Sequence, residues 1–316
     1  MLTYTGSRNL YGEFTRDAST ANLTLGDTYI NESIRTICAL NSGNWWFLED
    51  TKDIATVASQ ASYDIPAKFS RLIDAYITVG TTIYMPEYVA SYERWKLVLA
   101  YNLGTSDVPS FFYVNKGNIS FQPIPASNSN TITVRGRLGI NDMNVADYTT
   151  GTIVTATNGS TAIVGNGTSW NSSMVGKFIR ITATGAVKGG DNVWYEIESV
   201  TDATNLVLVK NYNGTSIATG TAAYIIGQAS VIPEEFQIAP IYRATALFYQ
   251  ARNPELASTY WKLYDGGKEI GLTNQYGGII GAMIEANQTK EGNYLPPFGS
   301  RVNTINPNYP QPIGVF

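Results

Sequence analysis

The spacing of apolar residues changes period along this chain, and that succession limits its possible folds more than any single motif. Leu23, Ile30, Ile34, Ile37 and Leu40 fall at steps of seven, four, three and three, one face of an α-helix around "TLGDTYINESIRTICAL". A shorter helical signal precedes it in "SRNLYGEFTRD", with Ser7 as expected N-cap and Leu10, Tyr11 and Phe14 on one side. From residue 52 to 140 the period falls toward two. "LIDAYITVGTTIYMPEYV" predicts two strands about Gly80, "FFYVNKGNISFQPIP" a hairpin about Lys116-Gly117-Asn118, and "NTITVRGRLGI" a further strand. Between them, Trp95, Leu99 and Leu103 at four-residue steps predict one helix across these strands. Beyond residue 227 the helical period returns. Ile241, Ala244, Thr245 and Phe248 share a stripe with Pro240 in the first turn, and Asn253-Pro254-Glu255 opens a second helix striped by Leu256, Tyr260, Leu263 and Tyr264. These two helices predict an antiparallel hairpin with a short joint. Helices and strands in separate runs give an α+β fold, not a regular βαβ alternation.

Residues 151–170, "GTIVTATNGSTAIVGNGTSW", have a linker's composition but not a linker's pattern. With Asn158-Gly159 as a two-residue type I′ turn, Val154 faces Ile163 and Ile153 faces Val164, so apolar residues meet apolar residues. The runs "GKFIRI", "VWYEIESV", "NLVLV" and "TAAYIIG" continue in the same manner. About six short strands between 150 and 227 suffice for a small barrel or sandwich, with a core expected on Trp170, Phe178, Ile181, Ile197, Leu206 and Leu208. The expected domains are therefore a discontinuous α+β body of 1–148 and 228–287, helical with antiparallel β hairpins, an inserted all-β domain of 149–227, and an extended C-terminal arm of 288–316. The arm holds five prolines among its final 21 residues, with Tyr294, Phe298, Tyr309 and Phe316 as spaced aromatics, and is read as non-helical. Such a tail is either disordered or docked as an extended arm on another surface.

Composition narrows the chemistry. Among 316 residues there is one cysteine, Cys38, and no histidine, which removes intrachain disulfides, Cys/His zinc sites and every Ser-His or Cys-His nucleophile. Cys38 adjoins the apolar stripe and reads as a small buried hydrophobe. Charged residues make up 15% with a net charge of −4, so no basic field exists to coat nucleic acid or an anionic membrane. The N-terminus has no basic head followed by an apolar run, and no segment reaches the roughly 18 to 20 apolar residues of a membrane span, so a soluble protein made in the cytosol is expected. "NSGNWWFLED" gathers Trp45, Trp46, Phe47 and Leu48, read as a core plug, with a stacking surface for bases or sugars as the alternative. Glu234 and Glu235 are adjacent and point apart, which suits a helix N-terminus better than a glycosidase pair. "GNGTSW" lacks the lysine of a phosphate loop, and "EDTKD" lacks calcium-loop spacing. No catalytic residue, cofactor site or metal site is expected.

Three stretches, "NLYGEFTRDASTANLTLGDTYINESIRTICALNSGNWWFLEDT", "DYTTGTIVTATNGSTAIVGNGTSWNSSMVGKFIRI" and "YEIESVTDATNLVLVKNYNGTS", resemble virion proteins of tailed bacteriophages. The resemblance is to head-to-tail adaptor (connector) proteins, which often carry an inserted small β-module. It implies a structural, non-enzymatic subunit at the head-tail junction of a virion, made in the host bacterial cytoplasm. It further implies a ring, typically of twelve copies, docked beneath the portal protein, with a tail protein (nozzle or tail tube) below and DNA passing through without sequence-specific binding or any membrane contact. Arms of this kind commonly reach the portal, which assigns portal contact to Tyr294, Phe298, Tyr309 and Phe316. Two other readings stay open: a glycan-binding or decorating tail protein exposing Trp170, Trp194 and Tyr195, and an enzyme acting on the host envelope.

Overall fold

The computed structural model describes residues 1–101, 103–106, 108–182, 190–218, 222–267 and 277–294, with the backbone alone at 41–42 and 288–294. The chain forms two compact units, Ser42–Ile140 and Met1–Asn41 with Asn141–Phe316. Helices and largely antiparallel sheets, with one parallel pair, Glu87–Tyr88 with Phe111–Asn115 across a helix, give the expected α+β fold.

In the discontinuous unit, α1 (Tyr4–Thr15) and α2 (Thr20–Ala39) form a helical pair. The N-cap of α1 is Thr3, not Ser7: the Thr3 side chain accepts from the Gly6 amide at 3.2 Å, and Ser7 is buried one turn inside. Ser19 caps α2, and Ile30, Ile34, Ile37 and Cys38 are buried on its apolar face. Burial pushes the Cys38 thiol up to about 12, so it packs as the small hydrophobe expected and is not a thiolate. The two helices approach closely at Gly26, where any Cβ would collide with the Tyr11 ring. Next along this unit's helical part come α4 (Ala239–Tyr249) and α5 (Pro254–Asp265), joined by a short turn and packed on each other. Ile241, Ala244, Thr245 and Phe248 are all buried. On α5 the inward residues are Ala257 and Tyr264, with Tyr260 and Trp261 beside them, while Leu256 and Leu263 are exposed. Aromatic contacts explain this departure from the expected stripe. Tyr260 lies against Phe14, Tyr242 and Tyr249, and turning the helix to bury Leu263 would break that cluster.

A last helix, α6 (Gly278–Tyr294), packs against α5 and was not legible in the glycine-broken run "GGIIGAMIEA". It carries residues 288–294, expected in the extended arm, as helix. The physical reason is positional: proline restricts itself and the residue before it, and the first proline is Pro296, beyond the helix end.

Among the described residues the same unit contains six strands: β9 (Thr152–Ala156), β10 (Ala162–Asn166), β11 (Phe178–Ile181), β12 (Trp194–Asp202), β13 (Asn205–Leu208) and β14 (Tyr224–Gly227). They form one sheet in the order β14-β11-β12-β13-β10-β9. Its two ends are joined by backbone bridges Tyr148↔Ile226, Ile153↔Ala222 and Ala156↔Ile217, so the sheet closes into a small barrel. Trp170, Ile181, Ile197, Leu206 and Leu208 are in its core as expected, and Trp170 Nε1–H donates to the Tyr224 hydroxyl at 3.0 Å. Phe178 is outside that core and Ile179 is in it, because β11 alternates from a half-buried Phe178.

The opening hairpin also differs from its expected register. The observed pairs are Ile163↔Ala156 and Val164↔Thr155, then after a bulge Gly165↔Ile153. Opposed residues of an antiparallel pair share a face, so a Val154–Ile163 pairing would have turned Ile153 outward, yet Ile153 is fully buried. The bulge lets Ile153, Ala156 and Ile163 all face inward. Gly165 is required there, since a Cβ would lie 2.6 Å from Thr168 and 2.8 Å from Trp170.

The unit Ser42–Ile140 holds β1 (Glu49–Ala55), β2 (Ser62–Asp64), β3 (Phe69–Val79), β4 (Thr82–Tyr84), β5 (Glu87–Tyr88), α3 (Tyr92–Ala100), β6 (Phe111–Asn115), β7 (Asn118–Gln122) and β8 (Thr131–Leu138). Two four-stranded sheets, β1-β8-β3-β4 and β2-β7-β6-β5, share one apolar core that includes Ile77, Ile132 and Val134 from the first and Tyr63, Phe112, Ile119 and Phe121 from the second. The β6–β7 hairpin turns on Lys116 and Gly117, both at positive φ, as the sequence predicts. Trp45 is buried and stacks on Phe47 at 5.6 Å. The inward residues of α3 are Trp95 and Val98, with Trp95 stacked on Tyr113 at 5.6 Å. Leu99 and Leu103, expected on the buried stripe, are exposed.

Candidate interaction surfaces

Three places in the fold could meet another molecule, and one polar clasp positions the barrel. The clasp forms where the chain enters and leaves the strands. Gln228 accepts from the amides of Asn144 (2.9 Å) and Val145 (3.0 Å) and donates to the Asp142 carbonyl (2.7 Å). Asn31 on α2 grips the same segment from the other side, accepting from the Met143 amide at 2.8 Å and donating to its carbonyl at 3.1 Å. Thr3 completes it by donating to Asp147 at 2.9 Å. These side chains satisfy a loop backbone that has no ladder of its own. Sequence reasoning missed the clasp because its members are isolated polar residues as much as 225 positions apart with no motif spacing.

The first surface is the expected arm. Tyr294 is the last residue of α6, while Phe298, Tyr309 and Phe316 lie outside the described residues.

On the outer face of the barrel, Phe178, Arg180 and Trp194 face outward, with the Arg180 guanidinium 4.9 Å above the Trp194 ring. A cleft of about 350 Å3 opens beside them, lined also by Asp191, Glu196 and Lys210. The Tyr195 hydroxyl at its floor donates to Asp191 (2.5 Å), and burial followed by that hydrogen bond raises its pKa. Of the three aromatics expected to offer a sugar surface, Trp170 and Tyr195 are buried and only Trp194 is partly exposed.

The third is a run of exposed residues on the Ser42–Ile140 unit. Ile83, Met85, Tyr88, Tyr92, Leu97, Leu99, Tyr101 and Leu103 are all exposed, from 42% for Leu103 to 83% for Met85. They account for eight of the fifteen large exposed hydrophobic residues described, within 21 positions.

Glu234 and Glu235 open a short 3-10 turn, both exposed and side by side in sequence. Among the described residues, no group of three or more His, Cys, Asp or Glu side chains could hold a metal ion, and no helix is long and apolar enough to cross a membrane.

Residues 7–149 match the family model described as SU10 adaptor protein. The match covers α1 from Ser7, α2 and the whole Ser42–Ile140 unit, and it ends three residues before β9 begins at Thr152. It supports a phage adaptor and virion component that interacts with other head or tail proteins. No curated protein matches the chain.

Proposed function

We propose that this chain is a structural, non-enzymatic subunit that forms a ring between the portal and the tail of a bacteriophage and lets DNA pass through. The observation that carries this reading is the match of residues 7–149 to the adaptor family, which spans both helical and sheet elements. The weak net charge of −4 suits a channel that DNA slides through, because a wall making many phosphate contacts would hold it. In this reading the strands of 149–227 are a domain inserted into an adaptor body of 1–148 and 228–287. The end of the family match at residue 149 supports that boundary. The C-terminal arm reaches the portal through Tyr294, Phe298, Tyr309 and Phe316, and a nozzle or tail-tube protein docks below.

The test is electron microscopy of the full chain mixed with isolated portal rings of the same phage. A closed ring seated on the portal is the expected image; a chain that stays monomeric and unattached overturns the reading. Truncation after Asn293, which leaves α6 all but complete, tests the arm separately: the truncated chain is expected to lose affinity for the portal, and unchanged affinity would remove the arm's role.

A further inference from the structure

The dipeptide Asn-Gly occurs three times in the chain, at 158–159, 166–167 and 213–214, and every copy lies between residues 149 and 227. This dipeptide carries its own chemistry. The backbone nitrogen after an asparagine can attack the side-chain carbonyl carbon, and glycine has no Cβ to obstruct that approach. Nucleophile and electrophile sit on one chain, so the reaction is intramolecular and needs only water besides. Serine or threonine follows each copy, so the local sequences are nearly equivalent and any difference among them comes from the fold.

Asn158-Gly159 is held at both reacting groups. The Gly159 amide donates to the Tyr212 carbonyl at 2.8 Å, and Asn158 Nδ2 donates to the carbonyls of Asn213 at 2.9 Å and Gly214 at 3.0 Å. Attack would break all three bonds. The same clamp ties down the backbone of Asn213-Gly214, where Gly214 is buried so close to the Tyr212 ring that any Cβ would collide with it. The remaining copy is open. Asn166 ends β10 and Gly167 follows at φ 66°, both exposed. Among the described residues, neither the Asn166 side chain nor the Gly167 amide has a hydrogen-bond partner. The Asn166 carbonyl oxygen faces Gly151, where a Cβ would lie 2.6 Å from it. In a planar trans peptide the N–H points opposite to the C=O, so the Gly167 nitrogen is turned away from that contact.

We propose that Asn166 is a site of spontaneous deamidation in the folded protein, while Asn158 and Asn213 are protected. The Gly167 nitrogen loses its proton to water and bonds to Asn166 Cγ, the Cγ–Nδ2 bond breaks, and ammonia leaves. The succinimide so formed takes up one water at either carbonyl. Opening gives aspartate, or isoaspartate where the main chain then runs through Cγ. No electron is transferred and no other reagent enters. The product adds one negative charge at the end of β10, and the isoaspartate form adds a backbone methylene beside Gly151. The barrel thereby acquires a second chemical form as the protein ages.

The experiment incubates the full chain in mildly alkaline buffer, folded and in parallel unfolded in urea, and follows each asparagine by peptide mapping with mass spectrometry. The signal is the mass gained when OH replaces NH2, with aspartate and isoaspartate peptides separated by chromatography. In urea the three copies should convert at comparable rates. In the folded chain Asn166 should convert at least about tenfold faster than Asn158, whose hydrogen bonds must first open, and faster than Asn213. Asn158 or Asn213 converting as fast as Asn166 in the folded chain overturns the proposal, as does an Asn166 that stays intact while the unfolded chain reacts. Asn166→Gln would need a six-membered ring and should abolish the gain in its peptide with the thermal midpoint unchanged. A gain that persists in that variant's peptide overturns the assignment to Asn166.

Discussion

The barrel of β9–β14 and the paired sheets of Ser42–Ile140 are both built mainly from antiparallel strands, yet they treat apolar surface in opposite ways. The barrel joins its end strands through three backbone bridges and buries sixteen residues in one core. Among the described residues its large exposed hydrophobics are three separate valines, Val175, Val193 and Val209. The paired sheets end in β4 and β5 and leave eight large apolar residues uncovered between Ile83 and Leu103. Closure satisfies the backbone at every edge and leaves little to recruit a partner. Open sheet edges and a short helix leave these side chains in solvent. The exposed run from Ile83 to Leu103 lies within the adaptor family match, and the barrel strands lie outside it.

The comparison breaks most decisively in the barrel core. Trp170→Ala removes a 3%-exposed indole and its hydrogen bond to Tyr224 and should cost about 3–5 kcal/mol, read by denaturant unfolding with near-UV dichroism. A cost below about 1 kcal/mol would mean that the barrel is not the closed core described. Gly165→Ala should cost about 1–3 kcal/mol, because the new Cβ meets Thr168 and Trp170. Leu97→Ser sharpens the other side: its side chain is 63% exposed, so the stability of the isolated chain should move by no more than about 0.5 kcal/mol. A larger loss would show that α3 depends on that residue within the subunit.

The smallest effect is a pH dependence. Asp202 accepts from the Thr204 amide and hydroxyl and from the Asn205 side chain, and these bonds, the Thr204 amide first, hold its pKa below the ordinary value of 3.8. A carboxylate depressed in the folded state contributes stability that is present above its unfolded pKa and lost as pH falls through the folded one. Wild type should therefore lose a small increment of stability below pH 3.8 that Asp202→Asn does not lose, measured as paired thermal midpoints across that range. Superimposable pH profiles would show that these hydrogen bonds do not favour the charged form.

The sequence carried the element types well where one rule dominated. The Ile30–Ile34–Ile37 face of α2, the stripe of α4 and the Lys116-Gly117 turn were legible because periodicity or turn chemistry alone determines them. It misled where a distant contact decided. The turn at Asn158-Gly159 is held by residues more than fifty positions away: the Gly159 amide donates to the Tyr212 carbonyl (2.8 Å) and Asn158 donates to the carbonyls of Asn213 and Gly214. A local mirror pairing could not include those bonds, so it missed the bulge. On α3, four-residue spacing pointed to Leu99 and Leu103, whereas the stacking of Trp95 on Tyr113 turned Val98 inward and left Leu99 in solvent. Of the four candidate arm aromatics, only Tyr294 is described, by its backbone alone, and the exposure of Leu97, Leu99 and Leu103 was hidden in the sequence because leucines look like core.

The central claim is a place in the virion, and cryo-electron microscopy of the intact phage with a tag inserted in the exposed Asn158-Gly159 turn tests it most directly. The account predicts a ring of tagged density at the junction of head and tail, with the fold described here fitting each repeat. Tag density at the tail tip or along the capsid, with none at the junction, would contradict it.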